Sequence, residues 1–463
     1  MNESLISPFN ITHPTTVQTS LFALASFARF DPTGRYVATA RVDGTAAIWD
    51  LDTRAAVRIL DGHVKAVSSL DWSRYSRYLL TASKDWNVVV WDLASTCVPA
   101  QRCATLRFDA PVVSASFHPR NSRIILALMS TGEAYLVDQR KAHRARVELC
   151  EVQEESDDEG AGTSNRVRSA ITVARFDPSG KHIFMGTSGG YILVFNTRTK
   201  TMVARHRITG AGAIKGLEFT KNGRQLVSNS ADRTLRQFTV PTYPPPTADD
   251  EYIEHELEPT HRFNDPINKT AWHAMSYSPD GEWLAGGAAD TATHKIYIWD
   301  ISNEGQFANA LDGGREPLLY LHWHPSKSSI ASTTNQGNIL IWHCPHPERW
   351  GAFAGGFEEL DENVEYEERE DEFDIVHMPL PFSIPYDYLI FLQEDEADMI
   401  RRKMKEEEEE VDIDTVPEAA KPREIQLHGV LPSDEDITWA DEEPDDDRQN
   451  WTMRVIMEED WDI

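Results

Sequence analysis

Residues 62–92 read GHVKAVSSLDWSRYSRYLLTASKDWNVVVWD, and this stretch decides the fold. Gly62-His63 precedes three short apolar runs, and the last run ends in Trp91-Asp92. This order is typical of one four-stranded blade of a β-propeller. We expect Trp91 to pack on the neighbouring sheet and His63 to bond Asp85 in the hairpin between the second and third strands. One blade cannot bury both of its faces, so the stretch predicts copies of itself elsewhere in the chain.

The copies are visible as a repeated spacing between the aromatic residue that ends the first strand and the apolar residue that closes the third. The step is 19 residues for Phe30 to Trp49, Trp72 to Trp91, Phe117 to Leu136, Phe176 to Phe195, Phe219 to Phe238 and Trp323 to Trp342. A seventh unit, Tyr277 to Trp299, has a step of 22 and an extra loop around residues 290–294. The same register puts Asp43 and Asp232 at the hairpin position of Asp85.

Seven units predict an all-β fold, a seven-bladed WD40 β-propeller over residues 23–345. Residues 1–22 precede the first blade, and we expect part of residues 5–22 to join the last sheet, because closing the ring removes its free edges. An acidic insertion at residues 151–165 reads as a solvated loop. Three consecutive prolines within residues 241–259 rule out a central strand, so this segment is expected to cross the propeller surface as an extended arm.

Charge divides the chain near residue 357. Residues 358–463 hold 38 acidic and 9 basic side chains, whereas residues 1–357 hold 37 acidic and 36 basic ones. Like charges repel and few apolar residues are available to bury, which predicts a long acidic, mostly extended or disordered C-terminal arm. We divide this arm into residues 346–375 and residues 376–463.

Composition also indicates the cellular compartment in which the protein works. The four cysteines show no CxxC pair, which fits a reducing compartment, and the start, MNESLISPFN, lacks a signal-peptide pattern. No apolar run approaches the roughly 20 residues of a membrane helix. We therefore expect a soluble, intracellular protein without a membrane partner and without homo-oligomerisation.

Stretches that could suggest an enzyme do not hold a recognisable site. Gly210-Ala211-Gly212 with Lys215 lacks the GK[ST] ending of a phosphate-binding loop. The cluster His322, His324, His343, Cys344 and His346 lacks a closed ligand set at zinc spacing, and His324-Pro325 simply occupies the strand-to-turn position that His118-Pro119 fills in the third blade. We expect no catalytic residues, no cofactor and no metal.

Residues 353–375, FAGGFEELDENVEYEEREDEFDI, carry the clearest functional signal. Their apolar side chains stand among carboxylates at no steady helical or strand period. A disordered acidic tail is ordinarily poorer in aromatic residues. The pattern favours an extended peptide whose apolar anchors lie along a partner while its charges complement a basic surface.

At these residues the chain resembles the retinoblastoma-binding protein five family, the WD-repeat scaffold of COMPASS-type histone H3 lysine-4 methyltransferase complexes. The resemblance rests on EELDENVEYEEREDEFDI at residues 358–375, directly after a propeller that ends in the W-x-AF of residues 350–353. It implies a nuclear, non-catalytic subunit that binds a SET-domain methyltransferase, a SPRY-domain subunit and a second WD-repeat propeller.

The resemblance also implies roles for particular residues. In the family, the segment matching residues 353–368 activates the SET domain, and the segment matching 368–375 binds the SPRY subunit. The activation residues are Phe353, Phe357, Leu360, Val364 and Tyr366. The SPRY-binding residues are Glu368, Glu370, Glu372, Phe373, Asp374 and Ile375. Residues 409–416, EEVDIDTV, match the motif that docks on the second propeller, with Val411, Asp412, Ile413 and Val416 as the docking residues.

Family members also place the propeller against nucleosomal DNA, and the matching cations here are Arg233, Lys269 and Arg315. Asp290 stands where a further arginine is expected, and residues 1–357 have a net charge of only −1. The resemblance therefore implies a weak direct nucleosome contact.

Several alternatives stay open. A WD40 substrate receptor of a ubiquitin ligase is the second hypothesis; such receptors resemble one another in an Arg two residues after a Trp-Asp pair, where this chain has Asp52, Ala94 and Ser302. Residues 393–410 have the spacing of an amphipathic helix. This helix either contacts a partner or forms only transiently in solvent. The roles of residues 378–391, 424–430 and 451–463 are not assigned.

Overall fold

The computed structural model describes residues 13–95, 97, 100–141, 143–151, 169–243, 252–265, 271–344 and 439–440. Seven antiparallel sheets, each built on four strands, arise from the repeated apolar runs and form a seven-bladed β-propeller. The 29 strands are β1 (Thr16–Phe22), β2 (Ala25–Phe30), β3 (Tyr36–Arg41), β4 (Thr45–Asp50), β5 (Ala56–Asp61), β6 (Val67–Trp72), β7 (Tyr78–Ser83), β8 (Asn87–Asp92), β9 (Arg102–Arg107), β10 (Val112–His118), β11 (Asn121–Met129), β12 (Ala134–Asp138), β13 (Ala145–Leu149), β14 (Ile171–Phe176), β15 (His182–Thr187), β16 (Tyr191–Asn196), β17 (Met202–Ile208), β18 (Ile214–Phe219), β19 (Gln225–Ser230), β20 (Leu235–Thr239), β21 (Ile253–Leu257), β22 (His261–Phe263), β23 (Trp272–Tyr277), β24 (Trp283–Ala288), β25 (Lys295–Asp300), β26 (Gln306–Asp312), β27 (Leu318–Trp323), β28 (Ser329–Thr334) and β29 (Asn338–His343).

Blades one, two and three are β2–β5, β6–β9 and β10–β13, blade four is β14–β17, blade five is β18, β19, β20 and β22, blade six is β23–β26, and blade seven is β27–β29 with β1. The first strand of the chain is thus the outer strand of the last blade, and Thr16 pairs with His343. This pairing closes the ring and leaves no free sheet edge between the first and last blades.

The core lies between the blades. It divides into seven clusters of buried side chains, and each cluster draws its members from two neighbouring blades. The fully buried indoles of Trp91 and Trp342 belong to the clusters between blades one and two and between blades six and seven. Each blade therefore covers the apolar face of the next, as the repeat pattern predicts.

The predicted bond between His63 and Asp85 is confirmed. Nδ1 of His63 lies 3.0 Å from a carboxylate oxygen of Asp85, and Nε2 lies 2.7 Å from Oγ1 of Thr81. The indole N–H of Trp91 donates to the same hydroxyl at 2.9 Å. The four side chains connect the hairpin, the second and third strands and the loop before the blade into one buried hydrogen-bonded chain.

Six of the seven repeat steps are confirmed by the strand register, and the third is wrong by one residue. Phe117 pairs with Ile125, which pairs with Val137, so Val137 rather than Leu136 occupies the position of Trp91. Phe117 and its partner Ile125 are eight positions apart in the chain, whereas Phe30 and its partner Val37 in blade one are seven apart. The extra residue moves the rest of the blade by one position, which a fixed spacing cannot reveal.

The long step in blade six has the expected origin. Six residues separate β24 from β25, whereas three separate β3 from β4. The additional loop brings in His294, whose Nε2 lies 2.8 Å from Oγ of Ser332 in blade seven. Trp342 donates its indole N–H to the same hydroxyl at 2.8 Å. His294 of blade six therefore makes the contact in blade seven that His63 makes in blade two.

The segment at residues 241–259 lies between β20 and β22 of blade five, and part of it is an extended strand. Within it, β21 pairs in parallel with β17 and becomes a fifth, outermost strand of blade four. The prolines at 244–246 precede this strand and lie outside the described residues. A sheet edge tolerates such a strand because only one of its sides needs backbone partners.

Two residues of the acidic arm are described, and they lie on the propeller. Ala440 is 1% exposed and belongs to the cluster between blades three and four, and Trp439 packs against that cluster. In the part of the chain that the structure describes, no helix combines the length and apolar character needed to cross a membrane.

Candidate functional surfaces

The predicted binding segments fall almost entirely outside the described residues. The structure therefore gives no position for Phe353, Phe357, Leu360, Val364, Tyr366, Glu368, Glu370, Glu372, Phe373, Asp374, Ile375, Val411, Asp412, Ile413, Val416 or Lys269. The acidic insertion beyond residue 151, the candidate helix at 393–410 and the segments at 378–391, 424–430 and 451–463 lie outside them as well. Arg233 and Arg315 are the predicted site residues that the structure places.

The two ends of the propeller follow from the strand order. Because strands alternate in direction, the hairpin between the second and third strands leaves each blade at the same end as the connection to the next blade. We call this end the hairpin face and the other end the opposite face. Backbone hydrogen bonds join hairpins to neighbouring connections on the hairpin face, for example from Ala25 N–H to Gly337 O at 3.0 Å.

Arg233 and Arg315 both lie on the hairpin face and are exposed. Arg233 is in the turn between β19 and β20, at a φ of 68°, and its carbonyl accepts the indole N–H of Trp272 at 3.0 Å. Arg315 is in the connection between blades six and seven. The fold thus brings both cations to one end of the ring, as a shared DNA-facing role requires, although it does not place them in contact.

Asp290 lies on the same face, in the added loop of blade six. Its carboxylate accepts hydrogen bonds from the Thr293 hydroxyl at 2.7 Å and from the Ala292 N–H at 3.2 Å, and these bonds lower its pKa. Asp290 is therefore ionised and held in place where the resemblance expects a cation. A fixed anion among cations reduces the attraction of this face for DNA.

The hairpin face also exposes apolar side chains over adjacent blades. Val64 is 88% exposed and Phe22 is 71% exposed. The exposed large apolar residues at this end of blades seven, one, two and three are Phe22, Leu24, Val42, Val64, Trp86, Val113 and Leu319. Isolated examples are ordinary on protein surfaces, but seven on one end of four consecutive blades are typical of an interaction surface.

Members of two ion pairs stand on the wall of the central channel. It encloses about 160 Å³ between the first strands of the blades. Arg175 bonds Glu218 at 3.0 Å, and Arg29 bonds Asp71 at 3.0 Å. The carboxylate of Glu218 raises the pKa of Arg175, which stays charged. Neither carboxylate is available as a general base, so these pairs stabilise the channel wall.

The histidines of blade seven are also structural. Nε2 of His324 lies 2.9 Å from the carbonyl oxygen of Gly34, at the strand-to-turn position that the sequence predicts. His322 is half-buried, and burial of its ring lowers its pKa. Over the described ranges, which end at residue 344 before residues 439–440, no group of three His, Cys, Asp or Glu side chains has the geometry of a metal site.

One contact was not predicted from the sequence. The guanidinium of Arg140 bonds the buried carboxylate of Asp138 at 2.7 Å and the carbonyl oxygen of Trp439 at 2.8 Å. With the corrected register, Arg140 stands two residues after Asp138, where ubiquitin-ligase receptors carry their arginine. The sequence comparison used Trp-Asp pairs, and blade three has Val137-Asp138 at that position instead. The strand register of blade three identifies Arg140 as the equivalent residue.

Comparisons with known proteins agree with the fold. The family described as WD domain, G-beta repeat matches residues 12–50 and 54–92, and that described as Nucleolar protein 10-like, N-terminal domain matches residues 103–265. A crystal structure of the Myceliophteria thermophila Cps50 (Swd1) beta-propeller domain superposes with a TM-score of 0.63 at 31% identity, over 72% of this chain and 100% of that chain.

Full-length relatives are similar over most of the chain. The Set1 complex component swd1 of Schizosaccharomyces pombe is 35% identical over 381 residues, which are 81% of this chain and 90% of that protein. The retinoblastoma-binding protein 5 homolog of Drosophila melanogaster is 36% identical over 81% of this chain and 72% of that protein. The COMPASS component SWD1 of Saccharomyces cerevisiae is 29% identical over 75% and 80%.

Proposed function

Because this chain belongs to the family of Swd1 and the retinoblastoma-binding protein 5 homologues, we propose that it is a non-catalytic scaffold and activating subunit of a COMPASS-type histone H3 lysine-4 methyltransferase complex. The observation that carries the proposal is the 35% identity to a Set1 complex component over 90% of that protein's length. The nucleus is the compartment in which such a complex meets its histone substrate.

The described structure supports a scaffold. Seven blades form a closed ring with an apolar cluster at every blade interface, so the ring offers fixed surfaces. The channel carboxylates are engaged in ion pairs, and the hairpin face exposes both apolar side chains and cations. Such a body suits the binding of other proteins better than it suits acid-base chemistry.

We assign the partner contacts to the acidic arm. Residues 353–368 are proposed to lie against a SET domain, residues 368–375 to bind a SPRY-domain subunit, and residues 409–416 to bind a second WD-repeat propeller. Several weak sites on one chain raise each other's effective concentration, so the subunits assemble more tightly than any single contact allows. Arg233, Lys269 and Arg315 are proposed to contact nucleosomal DNA weakly.

Activation follows from differential binding. The scaffold adds no reacting group, so it accelerates methylation only by binding the active conformation of the SET domain more tightly than the inactive one. Phe357 and the apolar residues after it are the candidates for this preference, because they lie in sequence between the ring and the SPRY anchor at Phe373.

Affinity purification of the full chain from nuclear extract, followed by mass spectrometry, tests the proposal. We expect SET-domain, SPRY-domain and second-propeller subunits, and methyltransferase activity on histone H3 lysine 4 in the purified material. Recovery of a stable complex without a SET-domain protein and without that activity would overturn the proposal. A chain ending at residue 344 is the control, because it retains the described ring strands and lacks the arm.

The second candidate is a substrate receptor of a ubiquitin ligase, and Arg140 is the observation in its favour. Its guanidinium is already occupied by Asp138 and by the carbonyl of Trp439. Recovery of cullin adaptors in the same purification, lost in Arg140→Ala and kept in Arg144→Ala, would support this candidate instead.

A further inference from the structure

A short piece of the acidic arm has a built site on the ring. Trp439 and Ala440 lie at the crevice between blades three and four, and Ala440 is buried there among apolar side chains of both blades. The sequence on either side of the pair, SDEDIT before it and DEEPDDD after it, is acidic and has no other large aromatic residue. Burial of an alanine from such a stretch indicates a specific contact.

Two side chains of blade three bind the backbone of the pair. The amide nitrogen of Asn121 donates to the carbonyl oxygen of Ala440 at 3.0 Å, and Nη1 of Arg140 donates to the carbonyl oxygen of Trp439 at 2.8 Å. The guanidinium of Arg140 also lies over the indole of Trp439, with 4.1 Å between its central carbon and the ring centroid. One arginine therefore binds both the backbone and the ring of the same residue.

The binding groups are fixed before the pair arrives. Nε and Nη2 of Arg140 bond the carboxylate of Asp138, which is 2% exposed. The side-chain oxygen of Asn121 accepts the N–H of Arg123 at 2.9 Å, which turns its amide nitrogen toward Ala440. Side chains that are held by their own blade lose little freedom on binding.

The site comes from the irregular part of blade three. Asn121 begins β11 beside the register irregularity between the Phe117 and His118 pairs, and Arg140 is in the connection between β12 and β13. Both turns leave the blade on the opposite face. The last described residues of blade seven also leave on that face, since β29 is a third strand. The arm thus departs and returns on the same side of the ring.

We propose that Trp439-Ala440 is an intramolecular anchor, with the crevice between blades three and four as its receptor and Arg140 as the residue that recognises it. The 94 residues from 345 to 438 are then held to the ring at both ends. They include the segments proposed above to bind partners, but the anchor itself needs no partner. The occupant is this chain's own arm, because that is the segment seated in the crevice.

A peptide competition on the full chain tests the anchor. Trp439→Ala empties the receptor without changing a residue of the ring. We expect a fluorescent peptide of residues 433–447 to bind this variant, and to bind the wild-type chain at least about tenfold more weakly, because the tethered arm competes at high effective concentration. Trp451→Ala, a second tryptophan of the arm, should behave as the wild type.

Further variants identify the receptor. Arg140→Ala combined with Trp439→Ala should abolish peptide binding, whereas Arg144→Ala, an exposed arginine of the same connection, combined with Trp439→Ala should not. Matching melting temperatures would exclude unfolding as the cause. A peptide with alanine in place of its tryptophan should not bind, which separates recognition from attraction of an acidic peptide to a basic surface.

Two results would overturn the proposal. Absence of peptide binding to the Trp439→Ala chain would mean that the crevice is not a receptor. Equal binding to the Trp439→Ala and wild-type chains would mean that the arm does not occupy the crevice in solution, and that a segment of another molecule is the occupant. Neither result depends on whether the chain belongs to a methyltransferase complex.

Discussion

The ring of His118 joins blade three to the backbone of Gly180 in blade four. Nε2 lies 2.9 Å from the carbonyl oxygen of Gly180, and Nδ1 accepts the N–H of Arg120 at 3.2 Å. The neutral ring with its proton on Nε2 satisfies both contacts. His324 repeats the arrangement on Gly34 between blades seven and one.

This contact predicts an acid-sensitive blade interface. Burial lowers the pKa of His118 to about 4 from its ordinary 6.5. The unfolded chain binds more protons than the folded one between these values, so this contribution to the free energy of unfolding is complete above pH 6.5 and is lost as the pH falls toward 4. We expect His118→Gln, which keeps a donor, to flatten the dependence of melting temperature on pH in that window. A slope in His118→Gln equal to that of the wild type would contradict the prediction.

Gly180 is predicted to be intolerant of a side chain for a second reason besides its φ of 82°. A Cβ there would lie 2.3 Å from Nε2 of His118, whereas a Cβ at Gly210, with a φ of 71°, would have no neighbour within 4 Å. We expect Gly210→Ala to lower the free energy of unfolding by roughly 1 to 2 kcal/mol, the cost of the left-handed backbone. Gly180→Ala should lose about 1 to 3 kcal/mol more through overpacking. Urea unfolding measures both, and equal losses would refute the steric explanation.

Trp342→Ala should destabilise the ring. Trp342 is 2% exposed and bonds Ser332, and its ring lies parallel to that of His294 at 6.3 Å. Truncation of a buried aromatic side chain costs roughly 3 to 5 kcal/mol. Trp86→Ala, at a residue that is 40% exposed, is the matched control and should cost much less. A melting temperature of Trp342→Ala equal to that of the control would be incompatible with this role.

Phe357→Ala should lower the methylation rate of the assembled complex while leaving the affinity for the SPRY subunit near that of the wild type. Phe373→Ala should lower both the affinity for the SPRY subunit and the methylation rate, because activation requires the SPRY subunit to be bound. The measurements are initial rates at saturating subunits and titration of the SPRY subunit. Full stimulation by a chain that lacks residues 345–463 would place the activating function in the blades instead.

Val411→Glu should weaken binding of the second propeller subunit, because it puts a charge at an apolar position of an alternating peptide. Ala419→Glu adds the same charge a few residues later and serves as the control. SPRY binding should persist in both variants. Loss of both contacts in Val411→Glu would mean that the arm binds as one undivided unit.

The repeated spacing was sufficient to predict seven blades because each aromatic step reports a strand pair that must bury the same surface. It failed at Leu136, since the pairing of β10 with β11 contains a register irregularity that adds one residue between Phe117 and its partner Ile125. It did not predict that His294 of blade six would bond Ser332 of blade seven as His63 bonds Thr81, because that contact crosses between blades. The pair Trp439-Ala440 could not be assigned either, since its partners Asn121 and Arg140 are about 300 positions away in the chain. The predicted binding residues of the arm remain predictions, and of the predicted DNA-facing cations of the ring the structure places Arg233 and Arg315.

The pairing of Thr16 with His343 also bears on how the protein is made. These residues are 327 positions apart, so at translation rates of about 5 to 20 residues per second the first strand waits roughly 15 to 65 s for its partner to be synthesised. During that interval six blades can form in order behind the ribosome, but the seventh cannot. Any chain that stops before β29 therefore leaves both ends of the ring with an unpaired strand or an uncovered face, which is the kind of surface that chaperones and proteases bind. Completion of the last blade thus distinguishes chains that extend past β29 from chains that stop before it.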